Sequence, residues 1–151
     1  MFLTLIGMSG TGKSYWSKKL ESQGFKPFGC DDLITIHLAK QLGYSEPQEF
    51  NMHQWVGYPN EETHLTRAQQ YLDAEKEVLN EIIAYLNNAD DQEHIIIDST
   101  GSVIYMPEEV LGSFRRLTTI VYLDITPDDY DRMLHYYLAN PVAIIWNGYY
   151  Q

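Results

Sequence analysis

The sequence has little of what disulfide-linked, membrane and nucleic-acid-binding proteins depend on. It contains a single cysteine, Cys30, so no disulfide can form within the chain, and we expect a reducing, cytoplasmic setting. No apolar run approaches the roughly 20 residues of a membrane span, and Met1-Phe2-Leu3 lacks the basic segment of a signal peptide. Only 10 Lys and Arg residues oppose 21 Asp and Glu residues, which gives a net charge of −11. Without a basic stripe, we expect neither a nucleic acid nor a membrane as a partner.

The amino end carries the most specific motif of the chain. Residues 7–14 read G-M-S-G-T-G-K-S, the pattern of a phosphate-binding loop or Walker A motif, between an apolar strand-like run and a helix-compatible run. Glycines let successive backbone N–H groups point at a polyphosphate, the lysine reaches its β- and γ-phosphates, and the serine hydroxyl binds Mg²⁺. The alternative is a glycine-rich turn that binds nothing. The predicted nucleotide-binding residues are Gly7, Ser9, Gly10, Thr11, Gly12, Lys13, Ser14 and Tyr15.

Strands and helices are predicted to alternate along one domain, residues 1–151, acting as a monomer or a small homo-oligomer. Apolar runs predict strands at 2–6, 25–29, 94–98 and 118–123. Helical spacing predicts a helix to about residue 22, a second ending near residue 43, a long one over about 61–87, a short one after Pro107 and a last one over about 127–138. This alternation is typical of an α/β fold with a mostly parallel sheet. Residues 44–62 lack a clean period and fit a small helical substrate lobe or a lid-like insert over a pocket.

Acidic residues follow two of the predicted strands. Asp98 ends the run His94–Asp98 in the Walker B arrangement, where a carboxylate sits beside Mg²⁺ directly or through water; the alternative is an acid that caps the next turn. Asp31 and Asp32 follow the second strand, where an acid could orient Mg²⁺ or take the proton of a substrate hydroxyl; the alternative is capping of the helix. Arg132 could close over a transferring phosphate or remain a solvated helix charge.

On these motifs the chain resembles the shikimate-kinase-like group of small P-loop kinases. The residues that carry the resemblance are the loop at 7–14, Asp31-Asp32, the turn Asp98-Ser-Thr-Gly101, the step Tyr122-Leu-Asp-Ile-Thr-Pro127, and a lid-like region at 130–141. The resemblance implies a three-layer P-loop NTPase sandwich with a parallel sheet in the order 2-3-1-4-5. It also implies ATP as phosphoryl donor and Asp31 as the acid that faces the substrate hydroxyl.

The departures from that group fall on its substrate side and at its carboxyl end. The first aspartate of the family's D-x-D corresponds to Gly29, and the arginines of its F-R-x-x-E and R-P-L-L motifs correspond to Leu72 and Asn140. Tyr71 and Glu75 keep the positions that flank Leu72, while Thr100-Gly101-Ser102 replaces a glycine triplet. In the family those arginines hold the carboxylate of shikimate, so shikimate is not the expected substrate here. The family also continues with a last helix and a fifth strand, which this chain is expected to lack.

Three functions are compatible with these motifs. The first is ATP- and Mg²⁺-dependent phosphoryl transfer to a small hydroxylated metabolite. In that reading Lys13, Asp31, Asp32 and Arg132 are catalytic. Ser14 and Asp98 hold the metal, and Asp31, Tyr71 and Gly101 lie beside the substrate. The second is an NTPase or GTPase, since residues 98–101 fit D-x-x-G, although no N-K-x-D guanine motif occurs. The third is a nucleotide-binding module that transfers no phosphate.

Overall fold

A four-stranded parallel sheet forms the centre of the computed structural model, which describes residues 1–139 and 145. The strands are β1 (Phe2–Ile6), β2 (Lys26–Gly29), β3 (Ile95–Asp98) and β4 (Thr119–Tyr122), each within one residue of its predicted ends. Their order is β2-β3-β1-β4. The predicted α/β fold is therefore confirmed, and this order equals the first four places of the order 2-3-1-4-5. The apolar run at 142–146 lies outside the described residues, apart from Ile145.

Composition explains which strands are central. The side chains of Ile95, Ile96 and Ile97 in β3 are completely buried, as expected for an inner parallel strand covered on both faces. β2 contains Pro27, which cannot donate a backbone hydrogen bond, and it lies at the edge of the sheet. In the order β2-β3-β1-β4, the end of β1 lies between the ends of β3 and β4.

Helices cover the sheet and carry most of the remaining core. The longest, α4 (His64–Asn88), begins at a buried histidine and turns one apolar face toward the core cluster, to which Val78, Leu79 and Ile82 belong. In the segment 44–62, a 3₁₀ turn (Pro47–Glu49) is followed by the one-turn helix α3 (Met52–Val56), whose Met52 and Val56 are buried. The helices are α1 (Lys13–Glu21), α2 (Cys30–Gln41), α3 (Met52–Val56), α4 (His64–Asn88), α5 (Glu108–Leu117) and α6 (Pro127–Ala139).

The helix α6 contains most of the predicted lid. Thr126 precedes it, and its side-chain oxygen accepts a hydrogen bond from the backbone N–H of Asp129 at 3.2 Å, which is an N-terminal cap. Residues 130–139 of the predicted lid are helical, and residues 140 and 141 lie outside the described part of the chain. No side chain of α6 is buried. This helix is therefore held by few core contacts. None of the described helices combines the length and apolar character that a membrane span requires.

Candidate functional site

The loop between β1 and α1 is shaped by its glycines. Gly7, Gly10 and Gly12 have φ angles of 148°, 84° and 92°, a region that side chains with a Cβ rarely adopt. A Cβ on Gly7 would lie 2.6 Å from the backbone oxygen of Leu123, just after β4. The loop therefore passes so closely over the end of the sheet that only glycine fits at this position.

Lys13 fixes the loop from inside. Its ammonium group donates hydrogen bonds to the backbone oxygens of Gly7 and Met8, each at 2.9 Å, and the residue is buried. Burial lowers the pKa of Lys13, while the negative charges of Asp98 and Asp31 act in the opposite direction. An ammonium group has three donors, and these two bonds leave one for a phosphate oxygen.

The start of α1 adds further donors for an anion. Gly12 is the N-terminal cap and provides no side-chain acceptor, so the first backbone N–H groups of the helix are not capped by a side chain. Ser14 is exposed in this first turn, and the positive end of the helix dipole points the same way. The loop shaped by glycines, the buried ammonium group of Lys13 and the start of α1 together fit a polyphosphate.

Asp98 lies at the end of β3, level with both neighbouring strands. Its register partners are Leu5, two residues before Gly7, and Gly29 at the end of β2. The 3₁₀ turn that follows has Thr100 as its N-terminal cap, so the interpretation of Asp98 as a cap of that turn is wrong. The charge of Asp98 influences the pKa values of both Lys13 and Asp31, which places the three groups in one electrostatic cluster.

Asp31 and Asp32 occupy the first turn of α2. The N-terminal cap is Gly29 and no side chain caps the helix, so the interpretation of these acids as caps is wrong. Asp31 accepts a hydrogen bond of 3.4 Å from the hydroxyl of Tyr71. Desolvation raises the pKa of Asp31, and Asp98 raises it further, while His53, Lys13 and the Tyr71 bond lower it. Asp31 is thus a desolvated carboxylate that bonds to Tyr71 and does not cap the helix.

A cavity of about 300 Å³ opens beside these acids. Its wall joins the start of α2 to the irregular segment before and within α3. Among the residues that the structure describes, no lysine or arginine belongs to this wall. Its polar side chains are those of Asp31, Asp32, Thr35, Gln48, Asn51 and His53. Sequence reasoning missed the last four: Gln48, Asn51 and His53 belong to segment 44–62, which carries no motif, and Thr35 lies further along α2 than the Asp31-Asp32 pair.

Two predicted substrate residues, Tyr71 and Gly101, do not belong to the cavity wall. Tyr71 is buried behind Asp31, and Gly101 faces the phosphate loop, where a Cβ would lie 3.7 Å from the backbone nitrogen of Ser9. Beneath them lies Glu75, a fully buried carboxylate that receives hydrogen bonds from the hydroxyls of Thr100 and Ser102. Burial raises the pKa of Glu75 to about 7. In the sequence, Glu75 is marked by its place in the F-R-x-x-E pattern of the resemblance, and it was not among the predicted site residues.

Arg132, which was predicted to be catalytic, and Arg67 at the start of α4 both bond to other groups of the chain. Arg132 on α6 pairs with Asp129 and its side chain is 78% exposed, which corresponds to the solvated alternative. Its helix nevertheless reaches the loop, because a Cβ on Gly10 would lie 3.4 Å from the terminal carbon of Met133. Arg67 donates to the backbone oxygen of Trp55 at 2.7 Å and does not line the cavity.

The parallel sheet with a Walker A loop after its first strand defines a P-loop fold. Among P-loop folds, the structure of this chain is similar to those of solved shikimate kinases. The match to the shikimate kinase of Aquifex aeolicus vf5 covers 86% of this chain and 63% of that enzyme's chain, at 23% sequence identity and a TM-score of 0.55. The enzyme of Bacteroides thetaiotaomicron matches 89% and 63%, at 16% identity and a TM-score of 0.61.

A third solved structure is the shikimate kinase of Acinetobacter baumannii in complex with shikimate. It matches 93% of this chain and 64% of its own, at 19% identity and a TM-score of 0.59. The chain therefore spans just under two thirds of the length of these structures and has the shikimate-kinase-like P-loop fold. No protein-family model and no curated protein matches the sequence.

Proposed function

We propose that this protein transfers a phosphoryl group from ATP to a hydroxyl group of a small metabolite, with Mg²⁺ as cofactor. The observation that carries the proposal is the electrostatic cluster of Lys13, Asp98 and Asp31 at the carboxyl ends of the strands. It joins a loop built for polyphosphate to a carboxylate that opens into a cavity. Donor site and acceptor site thus meet at the point where the phosphoryl group has to move.

The residues divide into donor-side and acceptor-side groups. Lys13 and the loop N–H groups bind and neutralise the phosphates, and Ser14 and Asp98 hold Mg²⁺, directly or through water. When bound, the metal neutralises phosphate charge. Asp31 orients the acceptor hydroxyl and takes its proton, with Asp32 beside it. Most of the rate comes from positioning and electrostatics.

The cavity argues against a carboxylate-bearing acceptor. A carboxylate prefers the fork of an arginine. In the described part of the chain, however, His53 is the one basic side chain that lines this wall, and Arg67 is held by the backbone oxygen of Trp55. Two carboxylates and two amides suit a neutral or positively charged hydroxyl compound instead. We therefore place shikimate outside the proposed substrates, although it is bound by the Acinetobacter baumannii enzyme.

ADP release with a panel of acceptors tests this function. The panel holds glycerol as a neutral polyol, ethanolamine as an amino alcohol and shikimate as a hydroxy acid, each with MgATP. Release that depends on glycerol or ethanolamine supports the proposal. Release that is equal with and without an acceptor indicates an NTPase, and ATP binding without release indicates a nucleotide-binding module. GTP in place of ATP tests the nucleotide.

A further inference from the structure

We propose that the ring of Tyr15 is the surface on which the base of the bound nucleotide stacks. Tyr15 directly follows Ser14 in the first turn of α1. Such a surface recognises the aromatic face of a base and not the hydrogen-bonding groups on its edge. This inference rests on the proposed function, because it assumes a nucleoside triphosphate as the phosphoryl donor.

Helix α1 buries polar residues and exposes its two aromatic ones. Its buried residues are Lys13 and Ser17. Tyr15 and Trp16 are instead 64% and 43% exposed. Aromatic side chains left in water give up the stabilisation that burial provides. Two adjacent exposed rings beside a loop built for polyphosphate therefore point to a ligand that covers them.

The geometry of the helix directs Tyr15 toward the phosphate site. Gly12 is the N-terminal cap, so Tyr15 is the third residue of α1. Side chains of a helix lean toward its N-terminus and cover the turn before their own Cα. For Tyr15 that turn joins the phosphate loop, where Lys13 is held by the backbone oxygens of Gly7 and Met8. Because only a ribose separates the base from the phosphates, the base of a nucleotide bound there lies within reach of this ring.

Neighbours on α1 hold the ring of Tyr15 without covering it. The ring centroids of Tyr15 and Trp16 lie 5.6 Å apart with their planes at 80°, an edge-to-face contact. The ammonium group of Lys19 lies 4.8 Å from the centroid of the Trp16 ring, and this cation–π contact fixes Trp16 in turn. An edge-to-face contact occupies at most one face of a ring. One face of Tyr15 is therefore open to a base.

The stacking surface is separate from the acceptor cavity. Neither Tyr15 nor Trp16 belongs to the wall of that cavity, which Asp31 and Asp32 line. A base on Tyr15 and an acceptor beside Asp31 therefore do not compete for the same side chains. Replacement of Tyr15 should raise the KM for ATP and leave the KM for the acceptor unchanged.

Calorimetric titration of four ligands separates contacts to the base from contacts to the phosphates. The ligands are MgATP, MgGTP, MgUTP and magnesium tripolyphosphate, which carries three phosphates and no base. Tyr15→Ala removes the ring, and Tyr15→Phe keeps it. Tyr58→Ala, at an exposed tyrosine between α3 and α4, is the matched control.

In Tyr15→Ala we expect the affinities for MgATP and MgGTP to fall by the same factor, about tenfold, because a ring face does not read the edge of a base. MgUTP should lose less, because its ring is smaller. Magnesium tripolyphosphate should bind Tyr15→Ala and the wild type equally, which also shows that the variant is folded. Tyr15→Phe and Tyr58→Ala should bind all four ligands as the wild type does.

Proton NMR of the adenine ring gives a direct readout of stacking. In the complex with the wild type, the adenine resonances should move upfield through the ring current of Tyr15, and in Tyr15→Ala this shift should be lost. An upfield shift that persists in Tyr15→Ala would place the base on another ring and overturn the proposal.

The binding results also separate this proposal from its alternatives. Equal losses for MgATP and tripolyphosphate in Tyr15→Ala would mean that Tyr15 supports the loop, and would overturn stacking. Unchanged MgATP affinity with weaker self-association in sedimentation would make the aromatic pair an interface between copies. A wild type that binds neither MgATP nor MgGTP refutes the proposed function as well. If MgATP affinity depends on Tyr15 but no acceptor raises ADP release, stacking stands and phosphoryl transfer fails.

Discussion

Lys13 shows how much of this site depends on one side chain. Its ammonium group holds the loop through two backbone oxygens and retains a donor for phosphate. Lys13→Ala removes charge-assisted bonds to the nucleotide, and we expect the affinity for MgATP to fall about 100-fold or more, with loss of turnover. Calorimetric titration measures the affinity. Lys18→Ala, an exposed lysine of the same helix, should bind normally; unchanged binding by Lys13→Ala would refute the assignment of the loop.

Glu75 makes stability depend on pH in a predictable direction. Its pKa rises from 4.5 to about 7 on folding, so folding takes up a proton and this contribution to the free energy of unfolding declines as pH rises through that window. Glu75→Gln removes the dependence. The unfolding free energy of Glu75→Gln minus that of the wild type should therefore increase by on the order of 3 kcal/mol between pH about 4.5 and pH about 7. Urea unfolding at several pH values measures this, and a constant difference would contradict it.

At the residue scale, sequence reasoning found the chemistry that local motifs encode. Lys13 and Asp98 belong to contiguous patterns, and the structure places both in one cluster with Asp31. Asn51 belongs to no motif, and Glu75 is marked only by its place in the F-R-x-x-E pattern. They enter the site only because α4 and segment 44–62 pack against α2, and a contact between distant segments leaves no periodic trace in either of them.

Among the connecting elements, the phosphate loop has the least freedom to change. Gly7→Ala combines a left-handed backbone angle with a Cβ 2.6 Å from the oxygen of Leu123, and we expect a loss of more than about 2 kcal/mol in unfolding free energy together with loss of ATP binding. Gly24→Ala is the control, because its φ of 95° is also positive but no atom lies within 4 Å of the added Cβ. That variant should lose only about 1 kcal/mol and bind ATP normally. Equal losses in urea unfolding would show that backbone strain alone matters.

Strongly patterned elements were predicted well, whereas α3 was predicted only as part of a small helical lobe or a lid-like insert. The sequence predicts both β3 and α4, because a strand buried on two faces, such as β3, gives a continuous apolar run. A helix buried on one face, such as α4, gives apolar residues at a spacing of three to four. Helix α3 spans only five residues and is held by packing of Met52 and Val56. A helix that short has no stability of its own, so its sequence gives no helical signal.

For the whole molecule, sheet order came from resemblance rather than from any local pattern. Strand sequences specify burial, but β2 could pair on either side of β1 without changing its composition. The order β2-β3-β1-β4 follows from how the connecting helices cross the sheet. This order is what brings Asp98 between the phosphate loop and Asp31, so the site is a property of topology as much as of motif.

The net charge of the chain gives the last prediction. With a net charge of −11, the protein repels MgATP at long range, while Lys13 and the loop attract it only at close approach. Raising ionic strength from about 0.01 M to about 0.15 M shortens the screening length from about 30 Å to about 8 Å. Distant carboxylates are then screened while direct contacts to the phosphates persist. The association rate constant of fluorescent MgATP in stopped-flow mixing should therefore rise several-fold with salt, whereas that of the matching uncharged adenosine should stay flat. A rate that falls with salt would mean that the local positive field of the loop, not the charge of the whole molecule, governs the encounter.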